Sequence, residues 1–309
     1  MQQKQVNHGT MKQVNHIQSI SEMAHLLGID DIRNPLVEII DIESIVYPQK
    51  FNNTAASIDF YMIVYKESGC TPLNYGLSKY DYDNGTLLFF APGQQFAVEN
   101  VGNPKGKMLM FSPDLLSHTL LGTMMHRYTF FSYAINEALH ISEREKEQFF
   151  SSLNDIEEEL EHPLDNHSRE LIVTQIQLLL AHCLRYYDRQ FISREVSNIE
   201  CGEKFKKLLI DYYETDALHL NGIPTVRYFA AQLNMTPNYF GDMIKKSMGI
   251  TPSQYIQEYV ISLAKQKLLC SNDSISEIAY ALGFEYPQYF TRLFKKVTGQ
   301  TPNEFRIAG

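Results

Sequence analysis

The sequence predicts an α+β protein of more than one domain, with a strand-rich N-terminal part and an all-helical C-terminal part. Three observations predict this fold class. Residues 36–112 alternate short β-branched or aromatic segments with turn formers, and the residues after Ser112 have helical periodicity. A segment close to the C-terminus is also repeated fifty residues further along the chain. The length of 309 residues leaves room for a sizeable core in each of two domains.

Composition narrows the class of protein. The chain is 44% hydrophobic and 20% charged, which is typical of globular proteins in water. No apolar run approaches the roughly 20 residues that span a bilayer, and no basic segment precedes an apolar core at the N-terminus. The sequence therefore predicts neither a membrane partner nor a signal peptide. Residues 1–16 are polar and aperiodic and are predicted to be a flexible tail.

Cysteine and histidine usage argues against a metal centre. The four cysteines lie far apart without a CxxC pair, which argues against a zinc site or a disulfide framework and favours the reducing cytoplasm. None of the ten histidines falls between His25 and His118, so the strand-rich segment lacks the ligands of a metal-dependent enzyme. Phosphate-binding loops and the GxSxG and HExxH motifs are also absent from the sequence. We therefore expect a protein that is not an enzyme and has no cofactor. The cysteines are Cys70, Cys183, Cys201 and Cys270.

The net charge of −9 is unevenly distributed. Residues 202–309 hold 12 Lys+Arg against 10 Asp+Glu, or +2, whereas the first 201 residues hold 15 against 26, or −11. Local charge decides where a polyanion docks, so the C-terminal part is compatible with nucleic acid although the whole chain is acidic.

The strand-rich part is predicted to form an antiparallel barrel or sandwich. Segments 35–40 and 57–65 are rich in β-branched and aromatic residues, and turn sequences such as Ala91-Pro92-Gly93 separate the strands. Several short strands with regular turns are typical of all-β barrels and sandwiches. The aromatic residues along these strands either line a ligand pocket or, as is more common, fill the core. They are Phe60, Tyr61, Tyr65, Tyr75, Tyr80, Phe89, Phe90 and Phe96.

Two helices are predicted between the strands and the repeat. Residues 142–161 are charged with a thin apolar stripe, which predicts a surface helix. Residues 167–191 carry an apolar seam at steps of three and four, which predicts a helix of roughly seven turns. Residues 193–201 are predicted to be a linker. We therefore expect residues 166–200 to consist of a helical dimerisation segment and a linker. The seam packs either on its own domain or on a second copy of the chain, and its residues are Ile172, Ile176, Leu179, Cys183 and Tyr187.

An internal repeat dominates the C-terminal part. Residues 235–246 align with residues 285–296 at an offset of fifty, with Pro, Tyr-Phe and Lys-Lys in register. The match extends through Gly249 and Gly299 to Thr-Pro pairs two residues beyond each glycine. This agreement over some twenty residues indicates two copies of one structural unit.

Each copy is predicted to contain two helices joined by a tight turn. Thr225 and Ser274 are candidate N-caps of the first helices, while Pro237 and Pro287 stand where the second helices begin. Helix, short turn and second helix is the arrangement that lays one helix in a DNA major groove. The predicted helix-turn-helix units cover residues 225–248 and 274–298.

A further helix, from Thr251-Pro252 to about Ser271, is predicted to join the two units. At 1.5 Å per residue it rises roughly 30 Å. This length is close to one turn of B-DNA, about 34 Å. A stiff rod of that length can present two reading helices to successive major-groove faces on one side of a duplex.

The C-terminal part of the chain, with its internal repeat, resembles the AraC/XylS family of bacterial regulators. The resemblance covers about residues 203–307 and is strongest in the second copy, in the segments 278–284 and 289–306. It implies that residues 202–309 form a domain that binds double-stranded DNA through two helix-turn-helix units. In this family a cupin-like sensory and dimerisation domain often comes first, and here it would occupy residues 17–165.

The resemblance also places base-reading roles on the outer face of the second helix of the second unit. These positions hold Gln288, Thr291 and Arg292. Gln can pair with adenine and Arg can bind guanine through two hydrogen bonds. The lysine pair that ends the helix in each copy is expected to hold phosphates, and otherwise is a solvated helix end. The lysines are Lys245, Lys246, Lys295 and Lys296.

The first unit departs from the family pattern. It has Gly241-Asp242 where a basic or long polar residue is common. Asp242 can accept a hydrogen bond from cytosine but repels nearby phosphates. Asn238 and Tyr239 are therefore further candidate base readers, and the second unit is expected to supply most of the specificity.

We therefore expect a regulator of transcription that acts as a homodimer with four helix-turn-helix units on its DNA site. We also expect that it activates transcription, that RNA polymerase is a protein partner, and that it responds to an unidentified small-molecule effector. Two alternatives stay open. The N-terminal domain would only dimerise or bind a partner protein, or the chain would be a DNA-repair or modification protein, which needs an activated cysteine.

Overall fold

In a computed structural model of the protein, the chain forms two compact units, residues 1–190 and 191–309. They divide inside the segment 166–200 that the sequence predicts as a helical dimerisation segment and linker. Among the residues that the structure describes, no helix combines the length and the hydrophobicity needed to cross a bilayer. The described residues are 14–45, 54–67, 85–98, 105–134, 137–163, 165–193, 195–215, 218 and 221–308.

Unit 1 contains two β-sheets. Its described strands are β1 (Val14–Ile17), β2 (Val37–Asp41), β3 (Thr54–Ile58), β4 (Tyr61–Lys66), β5 (Thr86–Phe90), β6 (Gln95–Val98), β7 (Gly106–Phe111) and β8 (Leu139–His140). One sheet has the order β1-β3-β6 and the other the order β2-β7-β4-β5-β8. The prediction of an α+β chain with a sheet-rich N-terminal part is confirmed. The described strands form two separate sheets and β1 pairs parallel with β3, so the predicted antiparallel barrel is not confirmed.

Burial explains why these segments form strands. All five residues of β5 are buried, as are the four central residues of β4 beside it. A strand covered on both faces is a continuous apolar run, which is how both segments look in the sequence. Phe60, Tyr65, Phe89 and Phe90 are core residues, whereas Tyr61 and Phe96 are half-buried. Tyr75 and Tyr80 lie outside the described residues.

Unit 1 also contains five α-helices among its described residues. They are α1 (Ile20–Leu26), α2 (Pro113–Leu116), α3 (Leu120–Met124), α4 (Glu143–Glu161) and α5 (Ser168–Ser193), the last of which continues into unit 2. α4 begins at a capping box, in which the Ser142 side chain accepts from the Glu145 N–H and the Glu145 side chain accepts from the Ser142 N–H. β1 begins inside the segment 1–16 that the sequence predicts as a tail, and residues 1–13 lie outside the described residues.

The apolar seam of α5 faces the core of unit 1. All five seam side chains are buried within the single chain, and the Tyr187 hydroxyl donates to the Glu137 carbonyl at 3.3 Å. The structure therefore supports the alternative that the seam packs on its own domain, and these five side chains are not available for a dimer contact. The large apolar side chains that α5 leaves exposed in its described part are Leu171 and Leu178.

Unit 2 is helical throughout its described residues. α6 (Glu195–Glu214) precedes α7 (Val226–Gln232), α8 (Pro237–Met248), α9 (Pro252–Cys270), α10 (Ile275–Ala281), α11 (Pro287–Thr298) and α12 (Pro302–Ala308). The prediction of a linker at 193–201 was wrong for 195–201, because α6 already begins at Glu195 and runs through Gly202. Its buried residues Cys201, Phe205, Leu209 and Tyr212 recur at steps of three and four, so tertiary packing holds the helix.

Candidate nucleic-acid interface

The first helix-turn-helix pair, α7 and α8, is built around a side chain of α6. Phe205 is fully buried, and its ring centroid lies 5.1 Å from that of Phe229 on α7 and 5.2 Å from that of Phe240 on α8. Tyr255 of α9 completes the cluster at 5.5 Å. α6 is therefore packed into this unit, although the sequence analysis began the first helix-turn-helix unit only at Thr225.

The sequence-predicted caps fix where the paired helices begin. The Thr225 side chain accepts from the Tyr228 N–H and starts α7, and Ser274 forms a capping box with Glu277 at the start of α10. The two prolines predicted at the start of the second helices occupy their first turns. The second helices end at Gly249 and Gly299, which adopt left-handed conformations with φ of 77° and 83°.

The two units differ by one residue in the turn. Four residues, 233–236, separate α7 from α8, whereas five residues, 282–286, separate α10 from α11. The first helices are therefore related by an offset of 49 and the second helices by an offset of 50. The N-caps of the second helices also differ, since the Thr236 side chain caps α8 whereas Tyr286 makes no side-chain cap on α11.

The outer face of α11 is polar and exposed. Phe290 and Phe294 are fully buried, whereas the two lysines of the pair that ends α11 are exposed. The predicted base readers Gln288 and Arg292 are also exposed and lie four residues apart on one helix face. The structure thus places both on the solvent side of the helix.

Arg292 has a neighbour that the sequence interpretation missed. Its guanidinium carbon lies 5.8 Å from the centroid of the Tyr289 ring, within the range of a cation–π contact. Tyr289 is 58% exposed and is the repeat partner of Tyr239, so the repeat itself was the signal that could have identified it.

Thr291 is half-buried, and its hydroxyl donates to the Pro287 carbonyl at 3.1 Å. The hydroxyl proton is therefore used within the helix. What remains for a base is the lone pairs of the oxygen and the methyl group, which suits contact with a thymine methyl.

The corresponding face of α8 differs because Tyr239, the equivalent of the exposed Tyr289, is buried. Asn238 is exposed, as are the two lysines of the pair near the end of α8, and Asp242 is half-buried. Tyr239 is only 3% exposed, and its ring centroid lies 5.3 Å from that of Phe191, which also belongs to unit 2. Tyr239 does not present its ring to solvent, so its predicted role as a base reader does not fit this arrangement.

The lysine pairs occupy the last turns of α8 and α11. Positive charge at a helix C-terminus also interacts favourably with the helix dipole, so part of their role is structural. Both copies nevertheless expose two ammonium groups beside the candidate base-reading face. This arrangement suits contacts with phosphates on either side of a groove.

Two of the described cysteines are buried and poorly suited to nucleophilic chemistry. Burial raises the pKa of the Cys183 thiol and raises that of Cys201 to about 11, so both stay protonated near neutral pH. Cys270 is exposed, and Cys70 lies outside the described residues. In the described part of the chain, no three His, Cys, Asp or Glu side chains are grouped as a metal ion would require.

Residues 229–308 match the family model described as "Helix-turn-helix domain". The "Uncharacterized HTH-type transcriptional regulator YisR" of Bacillus subtilis is 32% identical over 88 residues, which cover 28% of this chain and 31% of YisR. The "Bifunctional transcriptional activator/DNA repair enzyme AdaA" of the same organism is 42% identical over 71 residues, which cover 23% of this chain and 34% of AdaA.

Among solved structures, the C-terminal domain of the two-component response regulator yesN from Fusobacterium nucleatum is 28% identical with a TM-score of 0.30. The match covers 34% of this chain and 95% of that domain. The chain spans about a third of the length of the two curated relatives, YisR and AdaA.

Proposed function

We propose that the protein is a sequence-specific DNA-binding regulator of transcription of the AraC type, on the premise that residues 229–308 match a helix-turn-helix domain. The observation that carries the proposal is the repeated face of α8 and α11. Both helices bury aromatic residues on one side and expose a polar residue in the first turn and a lysine pair in the last.

The length of α9 supports simultaneous use of both faces. This helix of 19 residues follows α8, and four residues, 271–274, separate it from α10. At 1.5 Å per residue it rises about 28 Å. Successive major-groove faces on one side of B-DNA are about 34 Å apart. Two reading helices at the two ends of such a rod match that repeat.

Within this proposal the exposed side chains have different tasks. Gln288 and Arg292 read base edges in the major groove, and Asn238 and Asp242 make the weaker contacts of the first unit. The lysine pairs of α8 and α11 bind phosphates, which gives affinity without sequence preference. The second unit supplies most of the specificity, since Tyr289 and Arg292 are exposed there while Tyr239 is covered in the first unit.

The proposal is tested by selecting duplexes from a random pool with the full-length protein at about 150 mM salt, close to physiological ionic strength. We expect one enriched motif. Failure to enrich any sequence, with binding that disappears as salt is raised, would contradict sequence-specific recognition.

Replacing Arg292 with alanine should weaken binding to the selected site and relax the preference at one base pair. A bidentate Arg–guanine contact contributes roughly 1–3 kcal/mol of discrimination, which corresponds to about 5- to 150-fold in affinity. Competition binding with duplexes substituted at each position measures both effects. Asn238→Ala removes a candidate base reader of the first unit and should have the smaller effect. The reverse order would show that the first unit dominates.

Replacing Lys295 and Lys296 together with alanine should weaken binding to all sequences alike. Each phosphate contact contributes about 0.9 to the slope of log K against log salt, so the double variant should lose about 1.8. Titrations at four salt concentrations measure this slope. Arg144→Ala with Arg185→Ala removes two exposed positive charges from unit 1 and should leave the slope unchanged. An equal change in both variants would mean that net charge, not phosphate contact, is responsible.

The remaining parts of the proposal concern unit 1. We assign to unit 1 both dimerisation and the response to a small-molecule effector. The regulator would act in the cytoplasm and activate transcription through contact with RNA polymerase. A homodimer would carry four helix-turn-helix units. Sedimentation of the full-length protein tests the dimer, and a ligand-dependent rise in melting temperature of the protein tests the effector. No rise with any metabolite would favour the alternative, in which unit 1 only dimerises or binds a partner protein.

A DNA-repair function is the rival from another class, because AdaA is described as a repair enzyme as well as an activator. Such chemistry needs a thiolate. The raised pKa values of Cys183 and Cys201 argue against an activated nucleophile at either residue. We therefore favour a regulator that is not an enzyme.

A further inference from the structure

The last turn of α6 contacts both helix-turn-helix units through two consecutive tyrosines. Tyr212 is buried, and its ring centroid lies 5.1 Å from that of Tyr228 on α7, so it packs on the first unit. Tyr213 instead packs against the apolar core that α9, α10 and α11 form in the second unit, with its ring centroid 5.6 Å from that of Tyr259. The end of one helix therefore touches both units.

The chain just before α7 makes a further contact with the second unit. The backbone of Gly222 and Ile223 lies against the turn between α10 and α11, since a Cβ at Gly283 would be 3.0 Å from the Gly222 carbonyl carbon and 3.1 Å from the Ile223 nitrogen. The Ile223 side chain packs against the core of the second unit. Two residues later Thr225 caps α7, so this contact lies at the entrance to the first unit.

The Tyr212 hydroxyl connects these contacts. It donates to the Gly222 carbonyl oxygen at 2.8 Å. The carbonyl carbon of the same residue is one of the atoms that a Cβ at Gly283 would meet. A side chain packed on the first unit therefore holds, through one hydrogen bond, the backbone against which the turn of the second unit lies.

The helix α9 is the other connection between the two units. Tyr255 in its first turn joins the aromatic cluster of the first unit, and Val260 is buried in the core of the second. A rotation of one unit relative to the other would pivot on α9. The contacts of Tyr212, Tyr213 and Gly222 lie on other segments of the chain and would have to break in such a rotation.

We propose that Tyr212 is a positioning residue that holds the two helix-turn-helix units at one separation, so that the protein accepts one spacing between the bases that α8 and α11 read. Tyr212 lies on neither candidate DNA-contacting face and acts through Gly222 and the turn that leads into α11. The inference rests on the proposed DNA-binding function and adds a rule for the DNA site, in which the spacing of the two sets of bases is selected together with their sequences.

Duplexes with altered spacing test this rule with the full-length protein. Inserting one base pair between the two sets of bases in the selected site moves one set by about 3.4 Å and turns it by about 35° around the duplex axis. A single mismatched base pair costs about 5- to 150-fold in affinity, so the insertion should weaken binding of the wild-type protein at least about tenfold. Both sets can then be read together only by molecules in which the two units have separated.

Tyr212→Phe removes the hydroxyl and keeps the ring. The loss of one net hydrogen bond should raise the population of separated units about fivefold, so the weakening caused by the inserted base pair should become about fivefold smaller. Tyr280→Phe removes the hydroxyl of an exposed tyrosine on α10 and should retain the full wild-type effect of the insertion. A variant that is only less stable binds both duplexes less well by the same factor, which leaves the ratio of the two affinities unchanged.

A measurement without DNA separates failure of this inference from failure of the proposed function. Nitroxide labels on Lys245→Cys and Lys295→Cys, which are equivalent exposed positions of α8 and α11, report the distance between these helices by double electron–electron resonance. Cys70 and Cys270 are replaced with serine, because the other two cysteines are buried. Dilution with unlabelled full-length protein ensures that the measured distance joins two labels of one chain.

We expect one narrow distance distribution for the labelled protein. Gly283→Ala places a Cβ against the backbone before α7 and should broaden the distribution, whereas Gly299→Ala, whose Cβ would meet no heavy atom within 4 Å, should leave it narrow. A broad distribution in the labelled protein without either substitution, or equal widths for the two glycine variants, would overturn the fixed separation.

Equal effects of the inserted base pair on the wild-type protein and Tyr212→Phe would overturn the role of Tyr212. A narrow distance distribution that only Gly283→Ala broadens, in a protein that selects no DNA sequence, would support the fixed separation but overturn the proposed function and with it the rule for the DNA site.

Discussion

Replacing Phe205 with alanine is expected to lower the free energy of unfolding of unit 2 by about 3–5 kcal/mol, the usual cost of removing a buried aromatic ring. The side chain is fully buried and its ring meets the rings of Phe229, Phe240 and Tyr255, each on a different helix. The variant would leave a cavity where α6, α7, α8 and α9 meet. Urea denaturation followed by far-ultraviolet circular dichroism measures the change.

Two matched variants separate packing from other effects of substitution on α6. Ile210→Ala removes an exposed apolar side chain of the same helix and should change the free energy of unfolding by no more than about 0.5 kcal/mol. Phe205→Leu keeps much of the side-chain volume, so its loss of unfolding free energy should lie between those of Ile210→Ala and Phe205→Ala. If Phe205→Ala costs less than about 1 kcal/mol, α6 is not an integral part of the first helix-turn-helix unit.

Phe205 also shows where sequence reasoning reached its limit. The caps at Thr225 and Ser274 and the end glycines could be predicted, because each rests on chemistry within a few residues of the chain. The role of Phe205 depends on contacts with residues far along the chain. Residues 193–201 were predicted to be a linker, but α6 begins at Glu195 and runs through Gly202 because packing outweighs local propensity.

The candidate base-reading face illustrates the same distinction. The resemblance to the AraC/XylS family implied that Gln288 and Arg292 lie on the outer face of α11, and both are exposed there. Tyr239 and Tyr289 occupy equivalent positions of the repeat. Tyr239 is nevertheless buried with its ring against Phe191, while Tyr289 is exposed. Which of two equivalent residues is accessible depends on tertiary packing, which a sequence repeat does not encode.

In unit 1 the strands were easier to predict than their partners. Alternating apolar segments and turn residues located the strand-rich region, but the parallel pairing of β1 with β3 joins segments that are distant along the chain. Strand order and direction follow from long-range packing of apolar faces, so local pattern favoured the more common antiparallel arrangement. The apolar seam of α5 could likewise be predicted from its spacing, but the sequence did not show whether it packs on its own domain or on a second copy of the chain.

Replacing Gly283 with alanine should destabilise unit 2 by about 2–5 kcal/mol, the sum of a left-handed backbone cost of about 1–2 and an overpacking cost of about 1–3 kcal/mol. Gly283 has φ of 84° in the turn between α10 and α11. A Cβ there would lie 2.6 Å from Leu218 Cδ1, 3.0 Å from the Gly222 carbonyl carbon and 3.1 Å from the Ile223 nitrogen. Two of these atoms belong to backbone, so a change of side-chain rotamer cannot relieve the contact.

Gly299→Ala is the matched control, since Gly299 has φ of 83° but no heavy atom lies within 4 Å of the position that its Cβ would take. It should show only the backbone cost of about 1–2 kcal/mol. Asn234 takes a left-handed φ of 55° at the equivalent position of the first unit, so a side chain is compatible with this turn when the segment from Leu218 to Ile223 does not lie against it. Urea denaturation of both variants measures the difference. Equal losses would mean that backbone conformation alone requires glycine at 283, whereas a larger loss for Gly283→Ala would establish that the turn of the second unit is held against the segment preceding the first.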